Sequence, residues 1–338
     1  MMSMTARSIA NIARRPKGRR WLTVACAVGA SVLVGCADAH PPPPTPVGTY
    51  TTLPLPSAAT IVPPPTTTVP GVADCDATAS LRPSPPGVIP PGGTVSEIVA
   101  RGKVIIGVDQ RNYLFSNRDP ATGTLEGFDV DIAHEVARDL LGDPAKVEFR
   151  LINPADRIKS VQTSDVDMFI MSTTMTCARA EQIAFSTQYF EAHQRLLVPR
   201  NSAISEPADL AGKRVCSVAD TPAVYAVQRE VPDVEIVSVV DWGDCLVAIQ
   251  QGQVDAVSTD DGLLLGMAVQ DPTLEIVGPV MEVAPYGIGM NKNDDDLVRS
   301  VNGTLERIRK DGTWTQIYNR WLTALGPSPG PPAPHYQD

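Results

Sequence analysis

The sequence predicts an α/β fold whose sheets are mostly parallel, buried and flanked by helices. Short β-branched runs alternate with helical patterns across the whole block from Val95 to Leu325. Those runs are continuously apolar, as strands covered on both faces must be. The block is also long enough for one large domain or two small ones. Strands are expected near Val104 to Val108, Val147 to Leu151, Asp167 to Met171, Arg214 to Val218, Val234 to Val239 and Asp255 to Ser258. The clearest helix runs from Asp129 to Leu141, with Ile132, Ala133, Val136, Ala137 and Leu140 on one face, Asp129 as its cap and Gly142 as its stop.

Residues 1–35 carry a different signal. Arg7, Arg14, Arg15, Lys17, Arg19 and Arg20 come without an acid, and an apolar stretch from Trp21 ends at Leu33-Val34-Gly35-Cys36. Charged region, apolar core and small residues before a cysteine are those of an exported chain. The core is short for a membrane-spanning helix, which needs about 20 apolar residues. The LVGC string resembles a lipobox, which implies a diacylglycerol anchor on Cys36 and a chain on the outer face of the membrane. The net charge of −10 becomes more negative once this basic segment is removed. An acidic chain without a basic patch excludes nucleic acid as a partner.

Residues 36–93 are rich in proline and threonine, with Pro41 to Pro44 and Pro63 to Pro65 as runs. Such a segment has no core of its own and reads as an extended spacer. The proline-rich tail 326–338 is expected to be disordered for the same reason. Cys26 leaves with the leader and Cys36 takes lipid, so Cys75, Cys177, Cys216 and Cys245 remain. An even four outside the cell points to two disulfides. Three pairings are open; the preferred one joins Cys216 to Cys245, which share a predicted lobe, and Cys75 to Cys177. No CxxC or cysteine–histidine spacing suggests a metal, and His40, His134, His193 and His335 stand apart, so no metal or cofactor is expected.

Ligands in α/β sheets bind beyond the carboxyl ends of strands. Three loops there carry chemistry: Asp109 to Phe115 with Gly127-Phe128-Asp129, then Asp156-Arg157-Ile158 with Ser172-Thr173-Thr174-Met175-Thr176-Cys177-Ala178-Arg179, then Ser258-Thr259-Asp260-Asp261. The order of these loops resembles the family 3 periplasmic solute-binding proteins of polar amino-acid importers. Further along, Ala208-Asp209-Leu210-Ala211-Gly212-Lys213, Asp255-Ala256-Val257 and Asp311-Gly312-Thr313-Trp314 fit the same pattern. The resemblance implies a type II periplasmic-binding-protein fold, two lobes joined by two crossings. Lobe 1 would take residues 94–198 and 284–325, and lobe 2 residues 199–283.

Carried over residue by residue, the resemblance puts the ligand's α-carboxylate on Ser172, Thr174 and Arg179 and its ammonium on Asp260. Thr221 would donate a further hydrogen bond. Arg157 matches an arginine that acidic amino-acid binders place near the distal carboxylate. Asp109 matches a position that accepts from the amide in glutamine binders. With Arg111 offsetting Asp109, glutamate and aspartate are favoured over glutamine and asparagine. Tyr113, helped by Trp242, would cover the ligand, since Asn112 stands where an aromatic is common. The usual glycine of the Thr221 loop is Asp220, followed by Pro222. The chain is thus expected to be a monomeric lipoprotein that delivers an amino acid to an ABC permease, or reports it to a membrane sensor. It shows no G-x-S-x-G or H-E-x-x-H and is not expected to be an enzyme.

Overall fold

The computed structural model describes residues 53–62, 75–85 and 87–338. The leader and the expected anchor at Cys36 lie outside these residues. Among them, Val104–Val108 forms on an apolar β-branched run, Arg214–Val218 is buried beyond its first residue, and Val147–Leu151 is a partly exposed strand in which Glu148 and Arg150 alternate with apolar residues.

Two sheets organise the fold. The first, in lobe 1, has the order Val147–Leu151, Val104–Val108, Met168–Phe169, Gly289–Met290, Ala184–Phe185, with the first three strands parallel. The second, in lobe 2, has Glu235–Val239, Arg214–Val218 and Ala256–Asp260 parallel, then the antiparallel strands Phe190–Pro199 and Leu274–Tyr286. These last two are the crossings between lobes. The boundaries expected at 198/199 and 283/284 therefore fall inside strands that both lobes share.

The helix runs Phe128–Leu141, and Gly142 ends it in the left-handed conformation at φ 71°. Asp129 does not cap it. Gly127, at φ 135°, begins it, and a Cβ there would sit 2.2 Å from the Phe115 carbonyl oxygen. The backbone N–H groups of Phe128 and Asp129 donate to Leu114 and Phe115 instead. Asp129 lies on the face of Ala133, Val136 and Leu140 and is fully buried.

The described parts of the proline-rich segment 36–93 and the tail 326–338 lie against the lobes, contrary to the expectation of segments without structure. Thr60–Val62 adds an antiparallel edge strand to Glu235–Val239 of lobe 2. Ala79–Ser80 lies on lobe 1, where the Ser80 hydroxyl donates to Phe185 O, and it pairs in parallel with His335–Tyr336 of the tail. Asp338 forms an ion pair with Arg299. Leu55 and Leu81 pack against the main core and Val62 against the lobe 2 core. These segments have too few apolar residues for a core of their own, but they use one already built, and an edge strand tolerates neighbouring prolines. Disulfides join Cys75 to Cys177 and Cys216 to Cys245.

Candidate ligand cleft

A cleft of about 590 Å³, its mouth included, opens between the lobes at the carboxyl ends of the parallel strands. Asp109, Arg157, Ser172, Thr174, Arg179, Thr221 and Asp260 all line it. Asp109 follows the strand Val104–Val108, and Asp260 ends Ala256–Asp260. Arg179 belongs to the short helix Cys177–Ala180, where Thr176 Oγ1 accepts from its backbone N–H. Opposite, the helix Pro222–Glu230 directs its N-terminus into the cleft through Thr221 and Ala223. Unpaired N–H groups of a first helical turn favour an anion.

The guanidinium of Arg179 spans the lobes: Nη1 donates to Thr174 O at 2.7 Å and Nη2 to Asp220 O at 3.2 Å. Asp220 sits at φ 58°, which explains a glycine as the usual residue there, and aspartate is among those that tolerate it. Burial lowers the Arg179 pKa to about 10, so it stays charged at neutral pH. Across the cleft Asp260 Oδ2 accepts from Tyr286 Oη at 2.6 Å. Burial raises its pKa to about 7 despite that bond.

Arg157 differs from Arg179, the other buried cation among the described residues. Its residue is only 7% exposed, yet its guanidinium has no hydrogen bond or ion pair to a side chain or carbonyl among the described residues. Burial first, and the charge of Arg179 second, lower its pKa well below the usual range. Asp109 is buried too; desolvation raises its pKa, and its Oδ1 accepts from the Arg111 backbone N–H at 3.0 Å. A guanidinium that reaches the cleft without a protein partner offers its donors to an incoming anion.

Four expectations need correction. Ser172, at φ 45°, gives its hydroxyl proton to Asp129 Oδ2 at 3.0 Å while Asn112 Nδ2 donates to the same hydroxyl at 3.1 Å. It therefore has no proton left for a carboxylate. Thr221 Oγ1 donates to Val218 O at 2.7 Å, so its proton is committed as well. Arg111 turns away from the cleft and forms an ion pair with Asp241. Tyr113 lies outside the cleft, its carbonyl against Gly266, and Trp242 supplies the aromatic wall.

Residues 104–324 match the bacterial extracellular solute-binding proteins, family 3. The chain belongs to that family. The glutamine-binding protein GlnH of a Bacillus subtilis ABC transporter is 32% identical over 68% of this chain and 84% of its own. The glutamate-binding protein GluB of Corynebacterium efficiens is 30% identical over 67% and 79%. A solute receptor for L-cysteine from Neisseria gonorrhoeae superposes with a TM-score of 0.65 at 30% identity, over 68% of this chain and 94% of its own. Amino-acid binding is thus common to relatives whose named ligands differ in their side chains.

The family frame leaves several lining or supporting residues that sequence reasoning did not assign. Gln194 lines the cleft and bonds Ala223 O and Ser258 Oγ, both at 3.0 Å. Asp129 holds the Ser172 loop through its backbone N–H at 2.8 Å and its hydroxyl, and accepts from Tyr189 Oη at 2.8 Å. A carboxylate on the apolar face of a helix was the available signal for Asp129. Gln194 and Tyr286 sit in long strands and carry no such mark.

Proposed function

We propose that this extracellular solute-binding protein closes on a polar L-amino acid, with glutamate and aspartate preferred over glutamine and asparagine. Arg179 takes the α-carboxylate together with Thr174 and the Pro222–Glu230 helix N-terminus. A planar guanidinium suits a carboxylate. The free Oδ1 of Asp260 takes the ammonium. The observation that carries the acidic preference is Arg157, a buried cation without a protein partner on the wall of the same cleft. Asp109 beside it is the reason amides are second, since a carboxylate accepts an amide N–H.

Affinity arithmetic explains why both lobes are used. Micromolar binding needs about 8 kcal/mol, which for roughly ten heavy atoms exceeds the yield per atom of drug-sized ligands. Each polar atom must find a partner in a dry site, and closure supplies partners from both sides. In this reading Cys36 carries a lipid, the chain acts as a monomer at the outer membrane face, and a permease of an ABC importer reads the closed form. A membrane sensor reading the same form is the second possibility. Neither requires catalysis.

The test is calorimetric titration with the twenty amino acids. Glutamate or aspartate should bind best, and Arg157→Ala should cut the acid-over-amide ratio about tenfold. A flat response to all twenty rejects the site; an unchanged ratio in Arg157→Ala rejects the specificity argument.

A further inference from the structure

We propose that Arg111 and Asp241 form a latch outside the ligand cleft, fastening lobe 1 to lobe 2 and setting how long a ligand is retained rather than which ligand is chosen. The proposal rests on the reading above, that the lobes close on an amino acid.

Arg111 follows the Val104–Val108 strand of lobe 1, and Asp241 follows the Glu235–Val239 strand of lobe 2. Neither lines the cleft, although their neighbours Asn112 and Trp242 do. The two partners are built differently. The Asp241 side chain is 6% exposed and that of Arg111 58%. Asp241 Oδ1 caps the helix Trp242–Gln250 through the N–H groups of Gly243 at 2.9 Å and Asp244 at 3.3 Å. This bond lies wholly within lobe 2, so it keeps Oδ2 aimed at the rim whether or not lobe 1 is near. Only the arginine has to be ordered on closure, so the aspartate's share of the side-chain entropy normally lost by an ion pair is spared.

Charge makes the arginine necessary. Closure brings Asp109 of lobe 1 towards Asp241 and Asp244 of lobe 2. Burial first and the Asp241 charge second raise Asp244, and Asp241 also contributes to raising Asp109. Arg111 is the cation interposed among them: its backbone N–H is bonded to Asp109 and its guanidinium to Asp241. Without it, like charges from the two lobes would oppose one another.

The surrounding contacts let the lobes come this close. In the helix Asp261–Gln270, a Cβ on Gly266 would lie 2.6 Å from the Tyr113 carbonyl oxygen, and one on Gly262 would lie 2.7 Å from the Phe115 ring. Residues 111–115 are therefore the lobe 1 edge that seats against the helices of lobe 2, with the ion pair at one end.

Dissociation rates of glutamate and glutamine should be measured on the full chain for Arg111→Ala, Asp241→Asn and the double variant. Arg111→Ala should speed release of both ligands about two- to fivefold. Asp241→Asn keeps an N-cap acceptor and removes a charge, so the double variant should release ligand more slowly than Arg111→Ala alone. Loss of glutamate binding with glutamine spared would make Arg111 a ligand contact and overturn the latch. Unchanged release of both would overturn it too. Small-angle scattering of the ligand-free chain supplies a readout that needs no ligand: Arg111→Ala and Gly266→Ala should both give a larger radius of gyration. If no amino acid binds, the proposed function fails, and an unchanged radius in both variants would overturn the latch separately.

Discussion

Two buried aspartates, one inside lobe 1 and one on the lobe 2 wall of the cleft, are each bonded to a tyrosine at a crossing between the lobes, and they are used differently. In lobe 1, both oxygens of Asp129 are occupied, by Tyr189 on one side and by the backbone and hydroxyl of Ser172 on the other. In lobe 2, Asp260 has one oxygen on Tyr286 and keeps the other for the cleft. The first is satisfied and holds a strained loop in place; the second is unsatisfied and is ready for a cation. Their pKa values follow. Burial raises Asp129 to about 6, with three hydrogen bonds opposing it, and Asp260 to about 7, with one. A buried carboxylate becomes a binding group when the fold leaves part of it unpaired.

The sharpest way to break this contrast is at the cation opposite Asp260. Arg179→Ala should weaken the best ligand by 100-fold or more, about 3 kcal/mol, by calorimetry. Next come the aspartates themselves. Asp129→Ala should lower stability by about 3 kcal/mol, because it strands the Tyr189 hydroxyl and the Ser172 N–H. Asp260→Asn should weaken binding strongly without abolishing it, yet raise the melting temperature of the ligand-free chain at neutral pH by roughly 2–4 °C. The sign follows from its raised pKa. The folded chain holds that proton more tightly than the unfolded chain, so the stability it contributes is complete at low pH and is lost as pH rises through about 7. If Asp129→Ala and Asp260→Asn shift melting in the same direction, the contrast is wrong.

Acidity gives a further test. An ammonium needs Asp260 ionised, so affinity should be full above pH 7 and fall about tenfold per unit as pH drops below it. In Asp260→Asn the residual binding should lose that dependence. The smallest effect is expected at Asp109: Asp109→Asn should change acid binding only a few-fold and alter the ranking among amides, read in the same calorimeter.

How much of this was legible in the sequence depended on whether a residue's partner was local. The strands Val104–Val108, Val147–Leu151 and Arg214–Val218 are set by local β-branched and aromatic residues, and their bounds were readable residue for residue. Arg157, Arg179 and Asp260 follow strand ends, where the fold class places a cleft. Asp129 looked like a cap because it stands near a helix start, but the cap position belongs to Gly127, whose close approach to Phe115 is a long-range contact. Arg111 was read towards the ligand because Asp109 is two residues away. In the two-residue strand Arg111–Asn112 the side chains alternate, Asn112 inward and Arg111 outward. The tail 326–338 and the described parts of 36–93 were misread because composition reports whether a segment can build a core, and is silent on whether it can lie against one.

A crystal structure of the chain grown with L-glutamate tests the central claim most directly. The account predicts the α-carboxylate on Arg179, the ammonium on Asp260 Oδ1 and the side-chain carboxylate on Arg157, in one closed cleft. Glutamate bound with its ammonium away from Asp260, or with Arg179 and Asp260 in separate pockets, would contradict it.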